Sequence, residues 1–232
     1  MKKHIPNIIT CLNVTSGAIA IVVATMYDNL FAASMLILLG MIFDFFDGLT
    51  ARVLGVKSEL GKELDSLADV CSFGVAPAIL AYKLIIENAT PSMEWLALSA
   101  VAIPALSAYR LAKFNLDTRQ TVSFIGMPTP ANALFWVGLV LGKQWAPEIY
   151  NAVFANSVVL AIFAVGFAIA LISELPMFSL KLQGFGWSGN ELLYIFLVAV
   201  LVLMPIVGAG TVMLIVPLYF IICLLGKIIV RK

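Results

Sequence analysis

Residues 44–69 read DFFDGLTARVLGVKSELGKELDSLAD and set four carboxylates, Asp44, Asp47, Asp65 and Asp69, in the flanks of two strongly apolar segments. An ionised side chain at membrane depth costs roughly a few kcal/mol unless it is paired or solvated, so these acids need a reason to be there. On helices, Asp44 and Asp47 stand three residues apart and Asp65 and Asp69 four apart, so each pair projects from one face. Two such faces turned together make an all-oxygen cluster. With no His or Cys in the stretch, that donor set suits a hard divalent cation such as Mg²⁺ or Mn²⁺ rather than zinc, and magnesium also draws ligands from substrate phosphates. The plainer alternative makes the acids structural partners of Arg52, Lys57 and Lys62. Against it, the four acids outnumber the cations at that depth, and the cations look interfacial.

The composition around this stretch bounds the fold. With 62% hydrophobic and 12% charged residues over 232 positions, the apolar mass exceeds what one water-soluble core can hide, and the chain reads as an all-α polytopic membrane bundle forming a single transmembrane domain, 1–232. A net charge of +1 offers no basic field for nucleic acid. Cys11, Cys71 and Cys223 lie in apolar segments without metal-ligand spacing and read as core thiols. After Lys2 and Lys3 comes a full-length apolar span with no small-residue cleavage site, so no cleavable signal is expected.

A helix crosses ~30 Å of hydrocarbon with ~20 residues, and on that ruler eight spans are expected, at about 6–27, 31–54, 60–86, 93–114, 126–145, 152–173, 190–206 and 209–228. The last two are separated only by the Pro205–Gly210 break. Eight crossings put twelve lysines and arginines on the side of the termini, against Lys83 and Lys143 on the other. The positive-inside rule then places both termini and the acids in the cytoplasm.

Written as D-x2-D-G-x2-A-R-x8-G-x3-D-x3-D, the stretch resembles the CDP-alcohol phosphotransferase family, matching all eight fixed positions: Asp44, Asp47, Gly48, Ala51, Arg52, Gly61, Asp65 and Asp69. At average residue usage the coincidence has a probability on the order of 10⁻¹⁰. The resemblance implies a six-helix core over about 5–173 with two added C-terminal helices over about 190–228, and a homodimer in a bacterial or archaeal cytoplasmic membrane. It makes Asp44, Asp47, Asp65 and Asp69 ligands of Mg²⁺ or Mn²⁺, two ions in all, with Asp69 also the catalytic base. It assigns CDP binding to Asn7, Thr10, Asp44, Gly48, Ala51, Arg52, Gly61 and Asp65.

The individual residues keep plainer readings beside these roles. Asn7, Thr10 and Asn13 recur at three-residue spacing on one face of the first span, where helix–helix hydrogen bonding would explain them equally well. Gly48 and Ala51 admit either a neighbouring backbone or a flat ligand. Arg52 can pair with a phosphate, Glu59 or Glu63, and Gly61 opens room above the acids. Arg110 and Lys113 at a helix end complement the helix dipole and an anionic leaflet, or else receive a carboxylate or lipid phosphate. The run Arg110-Leu-Ala-Lys113-Phe-Asn115, followed by Gly126-Met-Pro-Thr129-Pro-Ala131, resembles the phosphatidylserine synthase branch of the family, with Lys113 where that branch more often has arginine. Arg110, Lys113, Asn115 and Thr129 are then the candidate contacts to acceptor or lipid phosphate. The segment from Ser173 to Glu191, with Lys181, Gly184, Phe185, Gly186 and Trp187, reads as interfacial.

The activity so implied is transfer of the phosphatidyl group of CDP-diacylglycerol to the hydroxyl of L-serine. A phosphohistidine route needs two histidines, and His4 is the only one. Two rivals stand beside it: the same chemistry on glycerol phosphate or inositol phosphate, and a cation transporter whose acids line a pathway.

Overall fold

The computed structural model describes residues 4–56, 58–116, 124–178, 186–187 and 189–229; the expectations placed on Lys57, Arg119, Lys181, Gly184 and Phe185 lie outside them. The chain forms α1 (Ile5–Met26), α2 (Leu30–Val53), α3 (Glu59–Asp69), a π-helical turn (Val70–Val75), α4 (Ala76–Glu87), a 3₁₀ stretch (Pro91–Val101), α5 (Ala102–Leu116), β1 (Phe124–Ile125), α6 (Thr129–Trp145), α7 (Pro147–Val153), α8 (Ser157–Ile172), β2 (Pro176–Met177), α9 (Glu191–Val207), a short 3₁₀ turn (Gly208–Gly210) and α10 (Thr211–Ile229). The helix starts have local causes. Asn29 accepts from the Ala32 N–H, Ser58 from the Gly61 N–H and Asn156 from the Val158 N–H, each satisfying an orphan donor of a first turn.

Among the described residues, five helical stretches are long and apolar enough to cross a membrane: Ile5–Met26, Leu30–Val53, Glu59–Glu87, Pro91–Leu116 and Glu191–Gly226. α7 and α8, bent by 81° at the break between them, add a sixth where the pair is counted as one span. This is a helical polytopic membrane protein. Most of the expected span at 152–173 is α8, which Asn156 caps, and only its first two residues belong to α7. The expected span at 126–145 begins at Thr129, and its 17 residues reach only about 26 Å. The 36 residues of Glu191–Gly226 are not one straight rod. A Cβ on Gly226 would stand 2.6 Å from Leu192 Cδ1, whereas a straight helix would hold those positions ~50 Å apart. The stretch doubles back at Gly208, whose φ of +57° suits a residue without Cβ.

Packing follows small residues, as expected where lipid supplies no hydrophobic drive between helices. α1 meets α2 through buried Ser16, Gly17, Ala20 and Ala24, and the Ser16 hydroxyl donates to the Leu36 carbonyl at 2.8 Å. The π-turn is gripped on two sides. Gly17 lies so close to it that a Cβ there would stand 2.6 Å from Ser72 Cα, and Gly74 does the same toward Ser107 of α5, at 3.2 Å from its Cβ. The Ser72 hydroxyl donates to the Asn13 carbonyl at 3.0 Å. The outer faces carry exposed Ile8, Leu12, Ile19 and Val22, and Cys11 is among the exposed residues, not a core thiol as composition alone predicted.

A two-stranded pairing absent from the sequence reading joins the loops before α6 and after α8, with Phe124 opposite Met177 and Ile125 opposite Pro176. Backbone hydrogen bonds from Gly126 N to Leu175 O and Met127 N to Ala170 O, each 2.9 Å, extend that junction and fix where α6 begins. Substituting Gly17→Ala must push α1 off the Ser72 backbone. We expect a loss of about 1–3 kcal/mol, read as a lowered thermal midpoint in detergent; an unchanged midpoint would show the contact to be slack.

Candidate active site

The acids converge. Asp44 and Asp47 hang from the C-terminal end of α2 and Asp65 and Asp69 from α3, and one oxygen each of Asp44, Asp47 and Asp65 lies within 4.8 Å of the others. The Asp44 carboxyl also lies against that of Asp69, whose Oδ1 is buried without a hydrogen-bond partner. Asp47 is buried at 6% exposure, and the Thr10 hydroxyl of α1 donates to its Oδ2 at 2.6 Å. Such a charge-assisted bond is worth about 1.5–3 kcal/mol and orients the carboxylate.

Like charges ~4 Å apart repel by about 4 kcal/mol at an effective dielectric of ~20, so the cluster calls for positive charge. Among the described residues none of the four acids forms an ion pair. Arg52 turns its Nε to the Gly48 carbonyl at 3.0 Å, and Lys62 turns its Nζ to the Asn115 carbonyl at 2.7 Å. The structural-partner reading of the acids therefore fails at both positions. Arg110 is close enough to Asp69 to interact electrostatically, and one guanidinium cannot balance four carboxylates. The all-oxygen donor set and the unpartnered Asp69 oxygen fit a hard divalent cation.

Beside the acids lies a cavity of about 510 Å³, walled by Asn7, Thr10, Gly48, Ala51, Gly61 and Asp65 among others. At Gly48 nothing lies within 4 Å of where a Cβ would stand, so the close-helix-packing reading of this glycine fails and the space belongs to the cavity. Gly61 differs. Its missing Cβ lets the Asn7 Oδ1 and the Ser58 hydroxyl come in, at 3.1 and 2.9 Å from that position. Lys62 also lines the cavity; sequence reading left it as an interfacial charge, although its place three residues before Asp65 puts it on the same face. Arg52, by contrast, is exposed and not part of the wall.

The second cationic group divides. Arg110 is 8% exposed, its guanidinium lies 6.0 Å from the Phe114 ring centroid, and its Nε has no hydrogen-bond partner, which no dipole-complementing surface cation would show. Lys113 fits the plainer reading. It is partly exposed and sits 4.0 Å from Glu174. The Asn115 amide donates to the Ser66 hydroxyl at 2.9 Å and so ties α5 to α3. Thr129 is buried at 1% exposure, its hydroxyl unpartnered. A larger cavity, about 750 Å³, lies at the opposite end of the bundle, where Lys83 pairs with Asp28 and Lys143 with Glu87, so it carries no unbalanced charge.

A bundle of apolar helices that turns an aspartate cluster toward a glycine-walled cavity is the frame of a membrane phosphotransferase, and the family model of the CDP-alcohol phosphatidyltransferases matches residues 3–172. The chain belongs to that family. Three similar proteins bear the name CDP-diacylglycerol–serine O-phosphatidyltransferase. That of Bacillus subtilis (strain 168) is 41% identical over 128 residues, 55% of this chain and 70% of its own. That of Methanocaldococcus jannaschii is 35% identical over 193 residues, covering 77% and 88%. That of Mycobacterium leprae is 35% identical over 187 residues, covering 75% of this chain and 57% of the longer relative.

Asp65→Asn keeps the side-chain shape and removes one charge. It is expected to weaken Mn²⁺ binding about tenfold or more, ~1.4 kcal/mol, in a spin-resonance titration of free Mn²⁺. Glu63→Gln, on an exposed acid outside the cluster, serves as the silent control.

Proposed function

We propose that the protein transfers the phosphatidyl group of CDP-diacylglycerol to the hydroxyl of L-serine, releasing phosphatidylserine and CMP. The observation that carries this reading is the meeting of Asp44, Asp47 and Asp65 at the edge of a cavity left open at Gly48, with the Oδ1 of Asp69 buried beside them. The names of the relatives support serine as the acceptor.

In this mechanism Asp44, Asp47, Asp65 and Asp69 hold divalent ions, Mg²⁺ or Mn²⁺ and two in number. Ions so held supply Lewis-acid neutralisation of the diphosphate and of the departing CMP. Asn7, Thr10, Gly48, Ala51 and Gly61 shape the cytidine side of the cavity, and Lys62 offers its remaining N–H donors to phosphate. Arg52, held on the Gly48 carbonyl, fastens the end of α2 rather than the nucleotide. Asp69 takes the proton from the serine hydroxyl as its oxygen bonds to the phosphatidyl phosphorus and the bond to CMP breaks. Arg110 receives the serine carboxylate; Thr129 is the other surviving member of the acceptor set, since Lys113 and Asn115 have partners of their own.

For the chain as a whole we propose eight crossings, counting α6, the bent α7–α8 pair and the two arms of the C-terminal hairpin. The family core then ends near residue 173 and the hairpin is added to it. Both termini and the acids face the cytoplasm, which the distribution of twelve basic residues against two supports, and the protein is a homodimer.

Purified protein given CDP-diacylglycerol and Mg²⁺ or Mn²⁺ is expected to release CMP when serine is added. Release only with glycerol phosphate or inositol phosphate would overturn the acceptor, and no release under any condition would favour transport. Asp69→Asn should lower turnover by about 10²–10⁴-fold while nucleotide binding persists; near-normal turnover would remove Asp69 as base. Gly48→Val is expected to keep the thermal midpoint, because the position is open, and to weaken CDP-diacylglycerol binding; unaltered binding would place the nucleotide elsewhere.

A further inference from the structure

Where α3 passes into the π-turn, polar atoms on three elements lack hydrogen-bond partners: Asp69 Oδ1, Arg110 Nε, Ser107 Oγ, Thr129 Oγ1 and both atoms of the Asn132 amide. Ser107 and Asn132 are 0% exposed and Thr129 1%. Folded proteins pair nearly all such groups, and each exception asks for an explanation.

The topology gathers them. Ser107 and Arg110 stand three residues apart on α5, so they share the face that meets the π-turn at Gly74. α6 also packs against the π-turn. It runs in the same direction as α3–α4, and the two are tied at their far ends by the Lys143–Glu87 ion pair. Counting back equally along both helices brings Thr129 level with Phe73 and Asn132 level with Ala76, about one to two turns beyond Asp69. Helical side chains lean toward the helix N-terminus, which tips Asn132 back toward the acids.

The donors and acceptors are those a zwitterion with a hydroxyl needs. Asp69 accepts from a hydroxyl, Arg110 gives a cation to a carboxylate, and Asn132 offers an N–H₂ donor and a carbonyl acceptor side by side. An acceptor bearing a phosphate would instead need further cations at this depth, and among the described residues of the junction Arg110 alone is cationic. We propose that Asn132 binds the amino-acid head of the acceptor opposite Arg110, its Nδ2 on the carboxylate and its Oδ1 on the ammonium, and thereby selects an amino acid over a phosphorylated alcohol. This rests on the serine-transfer reading above. In the sequence Asn132 follows directly on the Gly126–Ala131 motif and carries no signal of its own.

The test is Asn132→Leu, close to isosteric and apolar. A merely structural orphan amide would lose nothing by the change. We expect the KM for serine to rise about tenfold or more, the loss of a bond to a charged group. The KM for CDP-diacylglycerol should stay within about twofold, and the thermal midpoint in detergent should hold or rise. A serine KM unchanged within about twofold, with the wild type active, overturns this inference alone and assigns the amide to bound water. Absence of serine-dependent CMP release from the wild type overturns the reaction and this inference with it. Should the leucine variant fail to give a monodisperse peak, Asn132→Ala, smaller and without steric demand, is read by the same KM criterion.

Discussion

The governing constraint is repulsion among carboxylates held inside an apolar bundle. Four acids brought together at membrane depth oppose their own assembly by several kcal/mol (~4 per close pair at intermediate dielectric). They stay together because the helices that carry them are fastened elsewhere. α1 is bound to α2 along a seam of small residues, and the π-turn following Asp69 is held between Gly17 and Gly74. The site is therefore strained by design of its charges and supported by contacts that carry none. A divalent cation held there would relieve the repulsion, and its binding would then be linked to the closeness of α2 to α3.

The π-turn has a second consequence. One extra residue in a turn shifts everything before it by about 100° relative to everything after it. Asp65 can thus line the cavity and Asp69 lie against Asp44 of α2 while Leu80, Leu84 and Ile85 further along the same continuous span are fully buried in the core. A regular helix would have to choose one azimuth for both. Widened turns of this kind recur at functional sites for that reason.

Much of this was legible in the chain and some was not, along a physical line. Acids in apolar segments announce themselves because their cost is large, and Gly48 declares space by lacking a side chain. The order of helices followed from apolar run length, and the start of α6 missed by only three residues. The π-turn was illegible because inserting one residue changes neither composition nor hydropathy. Lys62 reads as an interfacial charge and Asn115 as a contact to acceptor or lipid phosphate, since sequence does not show that α3 and α5 meet there. Arg110 and Lys113 look equivalent as residue types, and only the approach of α5 to the π-turn separates a buried guanidinium from an ammonium near Glu174.

The C-terminal hairpin acquires a purpose from α6. In that helix Phe135, Trp136, Val137 and Leu139 are all but fully buried, on positions that go around the helix and not along one stripe. One side meets the π-turn and α4, and the other is covered by α10, which comes so close that a Cβ on Gly138 would stand 2.7 Å from the Val212 carbonyl oxygen and one on Gly142 would run into the Met213 side chain. Such approach admits no lipid between the helices. With α10 behind it and the β1–β2 junction below, α6 has no freedom to slide along the membrane normal, and the depth of Thr129 and Asn132 relative to Asp69 is fixed. A bundle ending after α8 would leave that outer face to acyl chains, whose fluid packing cannot hold a buried amide to the tolerance of a hydrogen bond.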